Sequence, residues 1–475
     1  MGETCKPTYD ELTELVRDLR KRVAALEAER ERDKARIADL EGKLAAATKT
    51  SRNSSKPPSS DIVKQAELAG KKKGKRKIGG QRGHEKHGRN FDLSEADQRH
   101  GHQLDECPNG GEGKLILLPE ETKIVYQYEL VEKPVLLHAH LVFGYWCTEC
   151  EEIHYAELPP EIRKGGLVGE RLTSFIGFLK GACHASYSVI QTLLDDTLGV
   201  VLSEGMVVKV VQKISQALAT PYQQLLDRLP LESSLNIDET GHKDNGKPHW
   251  NWCFRAKDFT LFQIANSRGS VVLEKVLGKE CEAVIGSDHY GAYRKYMKQA
   301  PIVVQFCLAH LIRELRFLAE LPSKPIAAYG RRLLRMLKRL FRLIHRREQM
   351  TPELFRKRLE KVSALFLRIA RRTQAGGEAA TLAKRFRIYG EEYFTFITRP
   401  DIDPTNNVAE RAIRFCVIDR KITQGTRGIK GQRWSERIWT VMATCAQQGR
   451  SAFAYMTEAI HASFSKTEAP TLLPT

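Results

Sequence analysis

Three acidic residues carry the chemistry this chain advertises. Asp238 closes the apolar run Leu235-Asn236-Ile237 and is followed by Glu239-Thr240; Asp288 closes Ala283-Val284-Ile285-Gly286-Ser287; Glu410 sits in a helix-like stretch from Asp403 to Arg411. Two carboxylates at strand ends and one on a helix suit a two-metal phosphoryl-transfer site. Hard oxygen ligands fit Mg2+ or Mn2+, which keeps waters and substrate phosphate as its remaining ligands. Two such ions roughly 4 Å apart activate a water or a 3'-hydroxyl and stabilise the leaving oxygen of an in-line displacement. The reaction implied is the cutting and joining of DNA strands. Among 58 acidic residues a single carboxylate at a strand end is commonplace, so the weight rests on the combination.

The surrounding pattern supplies elements to position them. Leu235 to Thr240, Trp250 to Arg255 and Leu261 to Ala265 read as consecutive antiparallel strands, with hairpin signals at Asp244-Asn245-Gly246 and near Lys257-Asp258. A helix over Val271 to Leu277, a buried strand ending at Asp288 and a further strand, Ile302 to Phe306, follow. Three strands, a helix and two strands make a ribonuclease H-like order, which brings Asp238 and Asp288 to one end of a sheet. Asp403 is placed to cap a helix with Pro404 at its first position. On that helix Asn406 and Asn407 precede Glu410 by a turn, and Ile413 and Arg414 follow it by a turn. Beyond it, Asp419 to Gly431 mixes Arg420, Lys421, Arg427 and Lys430 with glycines that allow close approach to phosphates. The long span from Asp288 to Glu410 reads as an all-helical insertion. Leu333, Leu337, Leu340 and Ile344 form its apolar stripe, while Arg331, Arg335, Lys338, Arg339, Arg342 and Arg346 coat the other faces.

Upstream lie smaller modules. Leu12, Val16, Leu19, Val23, Leu26, Ile37, Leu40 and Leu44 follow a heptad seam, with Arg30 and Asp33 in the same register, which predicts a coiled coil and a homo-oligomer. A linker rich in Ser, Pro and Lys follows, with the basic cluster Lys71 to Lys77; it reads equally as a phosphate-following arm and as a solvated tether. Cys147-Thr148-Glu149-Cys150 follows the strand-like run Leu141 to Trp146 and has one knuckle of a zinc ribbon. The other knuckle is incomplete, since Cys107 has Gly110 where a second cysteine belongs. That leaves Zn2+ to be held by Cys107, Cys147, Cys150 and a histidine, His102 or alternatively His100 or His154, or leaves a ribbon without metal. Between Leu172 and Leu218, helix, Gly turn, Ser203 cap and helix follow the order of a helix-turn-helix, although the last helix carries only Lys209 and Lys213 as basic residues, and a plain helical bundle shows the same order.

The fold class expected is therefore multidomain α/β. Coiled coil covers 8–48, linker 49–95, zinc-ribbon-like module 96–160, helix-turn-helix-like domain 165–225, ribonuclease H-like core 230–310 and 396–465, and helical insertion 311–395. A formal charge of +18, from 76 Lys and Arg against 58 Asp and Glu, favours a polyanionic partner, double-stranded DNA. No apolar run or signal segment points to a membrane or to export, and Lys6 stands where an acylation motif wants Ser or Thr. The expected location is the cytoplasm, and the ten cysteines read as thiols or a metal site there.

Taken together, these residues resemble the large transposase subunit of the insertion-sequence-66 family, a bacterial group of DDE transposases. The resemblance is carried by Asn53 to Asp61, Gly79 to His84, the cysteine module, Ile237 to Thr240, Gly286 to Asp288, Cys307 to Arg313, and Asn406 to Arg411 with Arg420-Lys421. It implies that Asp238, Asp288 and Glu410 bind the catalytic metals and that Cys307 and His310 are a family signature. It also implies action on terminal inverted repeats and a need for small accessory proteins. Arg411 and Arg414, on the helix of Glu410, join Arg420, Lys421, Arg427 and Lys430 as candidate DNA contacts. Two other readings fit the residues: a DNA-binding regulator or domesticated relic that no longer cuts, and a nuclease that cleaves without joining.

Overall fold

The computed structural model describes residues 8–47, 91–104, 108, 115–121, 123–399 and 402–473. Residues 49–90 of the basic linker, Cys107 and Gly110 lie outside the described residues. A single helix, α1 (Tyr9–Ala47), spans the heptads. Its seam residues are exposed, Leu12 by 45% and Leu26 by 63%, so this apolar stripe has no cover within the described chain. A two-stranded antiparallel hairpin, β1 (Gly144–Cys147) and β2 (Glu152–Tyr155), follows. The strand begins at Gly144 and not at Leu141, because Gly144 to Cys147 is the stretch that Glu152 to Tyr155 reaches back to pair.

Five helices come next: α2 (Pro160–Gly165), α3 (Glu170–Gly181), α4 (Tyr187–Leu198), α5 (Glu204–Ala217) and α6 (Ala219–Arg228). Gly199, at φ 63°, ends α4, and Ser203 caps α5 by accepting the Met206 N–H at 3.2 Å. Of the two lysines on α5, Lys213 is not free for DNA: its Nζ donates to the Lys164 and Gly165 carbonyls at 2.7 and 3.0 Å, tying α5 to the end of α2. Val207, Val210, Val211 and Ile214 of α5 join the main hydrophobic core.

The central sheet is mixed, in the order β5-β4-β3-β6-β7. It comprises β3 (Ser234–Asp244), β4 (Lys247–Arg255), β5 (Thr260–Ala265), β6 (Val284–Ser287) and β7 (Val303–Phe306), with α7 (Ser270–Leu277) and α8 (Gly291–Tyr296) between β5 and β7. The first three strands are antiparallel, and β6 and β7 run parallel to β3. The β3–β4 turn places Asn245 and Gly246 at φ 48° and 77°, the left-handed pair that matches strand twist. All four residues of β6 are buried, as expected of a short parallel strand covered on both faces.

The chain then forms α9 (Leu308–Glu320), α10 (Lys324–Ile344), α11 (Pro352–Ala370) and α12 (Gly377–Tyr389). Leu333, Leu337 and Leu340 are buried and the arginines of α10 are exposed. After α12 the chain returns along β7: Thr395 Oγ1 donates to the Val304 carbonyl at 2.7 Å, and Gln305 bonds both the Tyr393 carbonyl and the Phe396 N–H. Three helices close the structure: α13 (Asn407–Thr423), α14 (Gly428–Gln448) and α15 (Ala452–Ser465). α14 lies along the free edge of β5. Glu436 Oε1, Thr440 Oγ1 and Thr444 Oγ1, four residues apart on one helix face, accept the Ile264, Phe262 and Thr260 N–H groups at 2.8, 3.1 and 3.1 Å. Helical and strand repeats match there, so side chains satisfy edge donors that would otherwise template aggregation. Glu436 is fully buried and is balanced by Arg433 at 2.6 Å.

Candidate active site

β3 is the spine of the site. Its residues alternate between faces, and the face bearing Asp238 also bears Asn236 and Thr240. Both neighbours bond to the α13 segment: Asn236 Nδ2 donates to Asn406 Oδ1 at 2.9 Å, and Arg420 Nη1 donates to Thr240 Oγ1 at 3.1 Å. Asn236 pairs with Gly286 in the parallel β3–β6 register, so Asp238 and Asp288 each lie two residues beyond that pair, at the same end of adjacent strands. A Cβ on Gly286 would stand 2.3 Å from Asn236 Nδ2, which explains the glycine just upstream of Asp288.

Glu410 enters from the first turn of α13. That helix starts later than the sequence suggests. Asp403 accepts the Thr405 N–H and hydroxyl in a local turn, Pro404 offers its carbonyl to the Leu308 N–H, and Asn406 is the residue before the helix. Asn406 is held out of helical geometry because its side chain is drawn inward, donating to the Ile237 carbonyl at 2.8 Å, while its own N–H donates to Cys307 Sγ at 3.1 Å. Cys307 precedes α9, which carries His310 and Arg313. The guanidinium on Glu410 is Arg313, at 2.7 Å, and not Arg414, which is exposed. His310 Nδ1 lies 3.4 Å from the same Glu410 oxygen.

The charges of this cluster interact. Burial, then the charges of Glu239, Asp288 and Glu410, hold the Asp238 carboxyl well above the usual carboxylate range. Burial and Glu239 raise Asp288 to about 6, against the pull of His310, the Tyr290 N–H and Arg268. Burial, then Arg313, lowers the His310 imidazole, with Glu410 and Asp288 opposing. Glu239 carried no assignment from the sequence, nor did Arg313. Glu239 points to the other face of β3, is buried, and pairs with Arg268 at 2.8 Å, whose guanidinium lies 3.9 Å above the Tyr290 ring. The adjacent Asp-Glu pair was the available signal, since strand alternation sends the two carboxylates to opposite faces of the sheet.

A pH dependence follows. Asp288 folds with a pKa near 6, above the ordinary value, so the metal-free native state holds a proton that the unfolded chain has lost. The stability this group contributes is full below about pH 4 and is lost as pH rises through about 6. Urea denaturation of metal-free wild type and Asp288→Asn between about pH 4 and 7 should show the gap moving against wild type by on the order of 2 kcal/mol. A gap that stays constant with pH contradicts this assignment.

The other sequence-derived residues are dispersed. Arg411, Arg414, Lys421, Arg427 and Lys430 are exposed on α13 and at the start of α14, Asn407 is exposed at the first residue of α13, and Arg420 is half-buried on Thr240. The glycine-bearing loop docks on the protein: Asp244 Oδ1 accepts the Thr426 hydroxyl and the Gly428 N–H, and Gly425, at φ 99°, would place a Cβ 2.2 Å from the Lys243 carbonyl. In the small hairpin, Cys147, Cys150 and His154 bring their ligand atoms within 4.8 Å of one another. Of the three candidate histidines, His154 is the one beside these cysteines, because the β1–β2 register folds it back so that its Nε2 lies 3.0 Å from Cys150 Sγ.

Among the described residues no helix is long and apolar enough to cross a membrane. Residues 3–90 match a family of unknown function. No curated protein matches the chain. The model described as the transposase IS66 family matches residues 165–433, more than half of the chain and a span that runs from the helices before β3 into α14. The chain belongs to the IS66 family of transposases.

Proposed function

We propose that this transposase is a DDE-type polynucleotidyl transferase, acting on double-stranded DNA at the ends of an insertion sequence and at a target. The supporting observation is the crowding of Asp238, Asp288 and Glu410, brought from β3, from the end of β6 and from α13, with Asp238 disfavoured as an anion by burial first, then by Glu239 and by the other two charges. Arg313 meets Glu410 alone, and like charges gathered beyond that one ion pair fit divalent metal. Asp238, Asp288 and Glu410 would hold Mg2+ or Mn2+, which supplies activation of the attacking hydroxyl and stabilisation of the leaving oxygen. The sheet order supports a ribonuclease H-like core, with α9 to α12 inserted between β7 and α13.

The remaining assignments belong to the same proposal. The exposed Arg411, Arg414, Lys421, Arg427 and Lys430, with the basic face of α10, contact phosphates, whereas Arg420 holds β3 to α13. The hairpin takes Zn2+ through Cys147, Cys150 and His154, and α1 pairs with its counterpart in another copy through the exposed seam. The test is a donor duplex carrying the gene's native flanks, incubated with protein, Mg2+ and the products of neighbouring reading frames. Free 3'-hydroxyl ends followed by joined products are expected. Cleaved ends that never join favour a nuclease, and binding without cleavage favours a regulator or relic.

A further inference from the structure

Beside the three carboxylates lies a second ligand set of different chemistry. Cys307 immediately precedes α9 and His310 follows three residues later, so both side chains leave one turn, and Glu410 reaches them from α13. The thiol sulfur, an imidazole nitrogen and a carboxylate oxygen lie within 4.8 Å of one another. His310 Nδ1 is buried and makes no hydrogen bond, although Glu410 Oε1 stands 3.4 Å from it. Leaving a buried ring nitrogen unpaired costs stability, a cost that a metal bond removes. Cys307 Sγ, also buried, already accepts the Asn406 N–H, the kind of outer contact that orients a metal-bound thiolate. Sulfur, imidazole and carboxylate together suit a borderline-soft tetrahedral ion and do not suit Mg2+.

We propose that Cys307, His310 and Glu410 bind Zn2+ or a similar thiophilic divalent ion, and that this ion withdraws Glu410 from the carboxylate cluster. The binding stands on the geometry alone; the inhibition rests on the proposed catalytic role of Glu410. Binding releases the Cys307 thiol proton to solvent. Zn–ligand bonds of roughly 2.0–2.3 Å place ligand atoms about 3.5 Å apart, so about 1 Å of side-chain adjustment closes the set. Arg313 opposes the ion, since it holds Glu410 Oε1 and adds a positive charge. Arg313→Gln therefore binds the metal more tightly, by about tenfold.

Co2+ serves as the probe. The full chain with Cys147→Ser and Cys150→Ser, which removes the hairpin thiolates, is titrated with Co2+ and read by absorption. A sulfur-to-cobalt charge-transfer band with intense tetrahedral d–d bands is expected, and adding Cys307→Ser abolishes the charge-transfer band. If Cys307→Ser does not fold, His310→Gln must alter the d–d bands. No thiolate band in the parent protein, a band that survives Cys307→Ser, or d–d bands indifferent to His310→Gln each overturn the site. In the Mg2+ cleavage reaction, Zn2+ should inhibit, with Cys307→Ser requiring about tenfold more Zn2+ relative to its own uninhibited rate. Equal sensitivity overturns the regulatory half. A protein that cleaves nothing overturns the proposed function, while the Co2+ spectrum still judges the site.

Discussion

Glu410→Gln is expected to lower the proposed strand cleavage and joining by about a thousandfold or more while leaving the protein folded and DNA-bound, the scale of losing a group that acts on transition-state charge. Glutamine keeps an oxygen that Arg313 Nη2, now at 2.7 Å, can still donate to, so the α9–α13 contact survives. What disappears is the charge that Asp238 senses, and with it a hard anionic ligand. Asp238→Asn is expected to match it. The measurement pairs product formation in Mg2+ with DNA affinity in metal-free buffer, because the exposed basic residues remain in place. Cleavage within tenfold of wild type removes Glu410 from the proposed metal site. Equal loss of affinity and cleavage would mean that the substitution acts on binding or folding, and would remove it as well.

Asn406→Ala is expected to damage both fold and activity. Asn406 is 1% exposed, and its amide joins the Ile237 carbonyl to Asn236 across β3. Alanine leaves the carbonyl and the Asn236 amide without partners, a cost of about 3 kcal/mol. Glu410 begins one turn later, its N–H bonded to the Asn406 carbonyl at 3.2 Å, so cleavage should fall about a hundredfold from misplacement alone. Gly286→Ala strikes the same network from β6 by displacing Asn236. The double variant should therefore cost clearly less than the two single variants added together in urea denaturation. Strict additivity, or an Asn406→Ala protein as stable as wild type, contradicts this account of how α13 is held.

Local patterns made much of the sheet legible. Asp244-Asn245-Gly246 encodes its own turn, because few residues other than Asn and Gly accept φ of 48° and 77° in succession. The apolar runs before Asp238 and Asp288 describe strands, β6 buried throughout and β3 with Leu235 and Ile237 in the core, and Leu333, Leu337 and Leu340 state the helical period of α10 directly. The start of α13 was not legible. Asp403-Pro404 is a sound local cap signal, and it lost to Asn406, whose side chain gains two hydrogen bonds only once β3 lies beneath it. The close approach that requires Gly425 was not legible either, since it is set by the Lys243 carbonyl of a strand far away in the chain.

By itself the sequence determined the elements and the kinds of chemistry available: carboxylates at strand ends, a helix bearing a third, thiols and imidazoles in close spacing, and an excess of basic charge. Only the tertiary structure decided which groups meet. It set Arg313 on Glu410, turned Arg420 inward to Thr240, brought His154 beside the hairpin cysteines, and laid Glu436, Thr440 and Thr444 along the edge of β5. The reason is physical. Turn preferences and hydrophobic periods are settled within a few residues, whereas a partner for a buried charge or an unpaired N–H is selected among groups far apart in the chain, and packing alone brings those together.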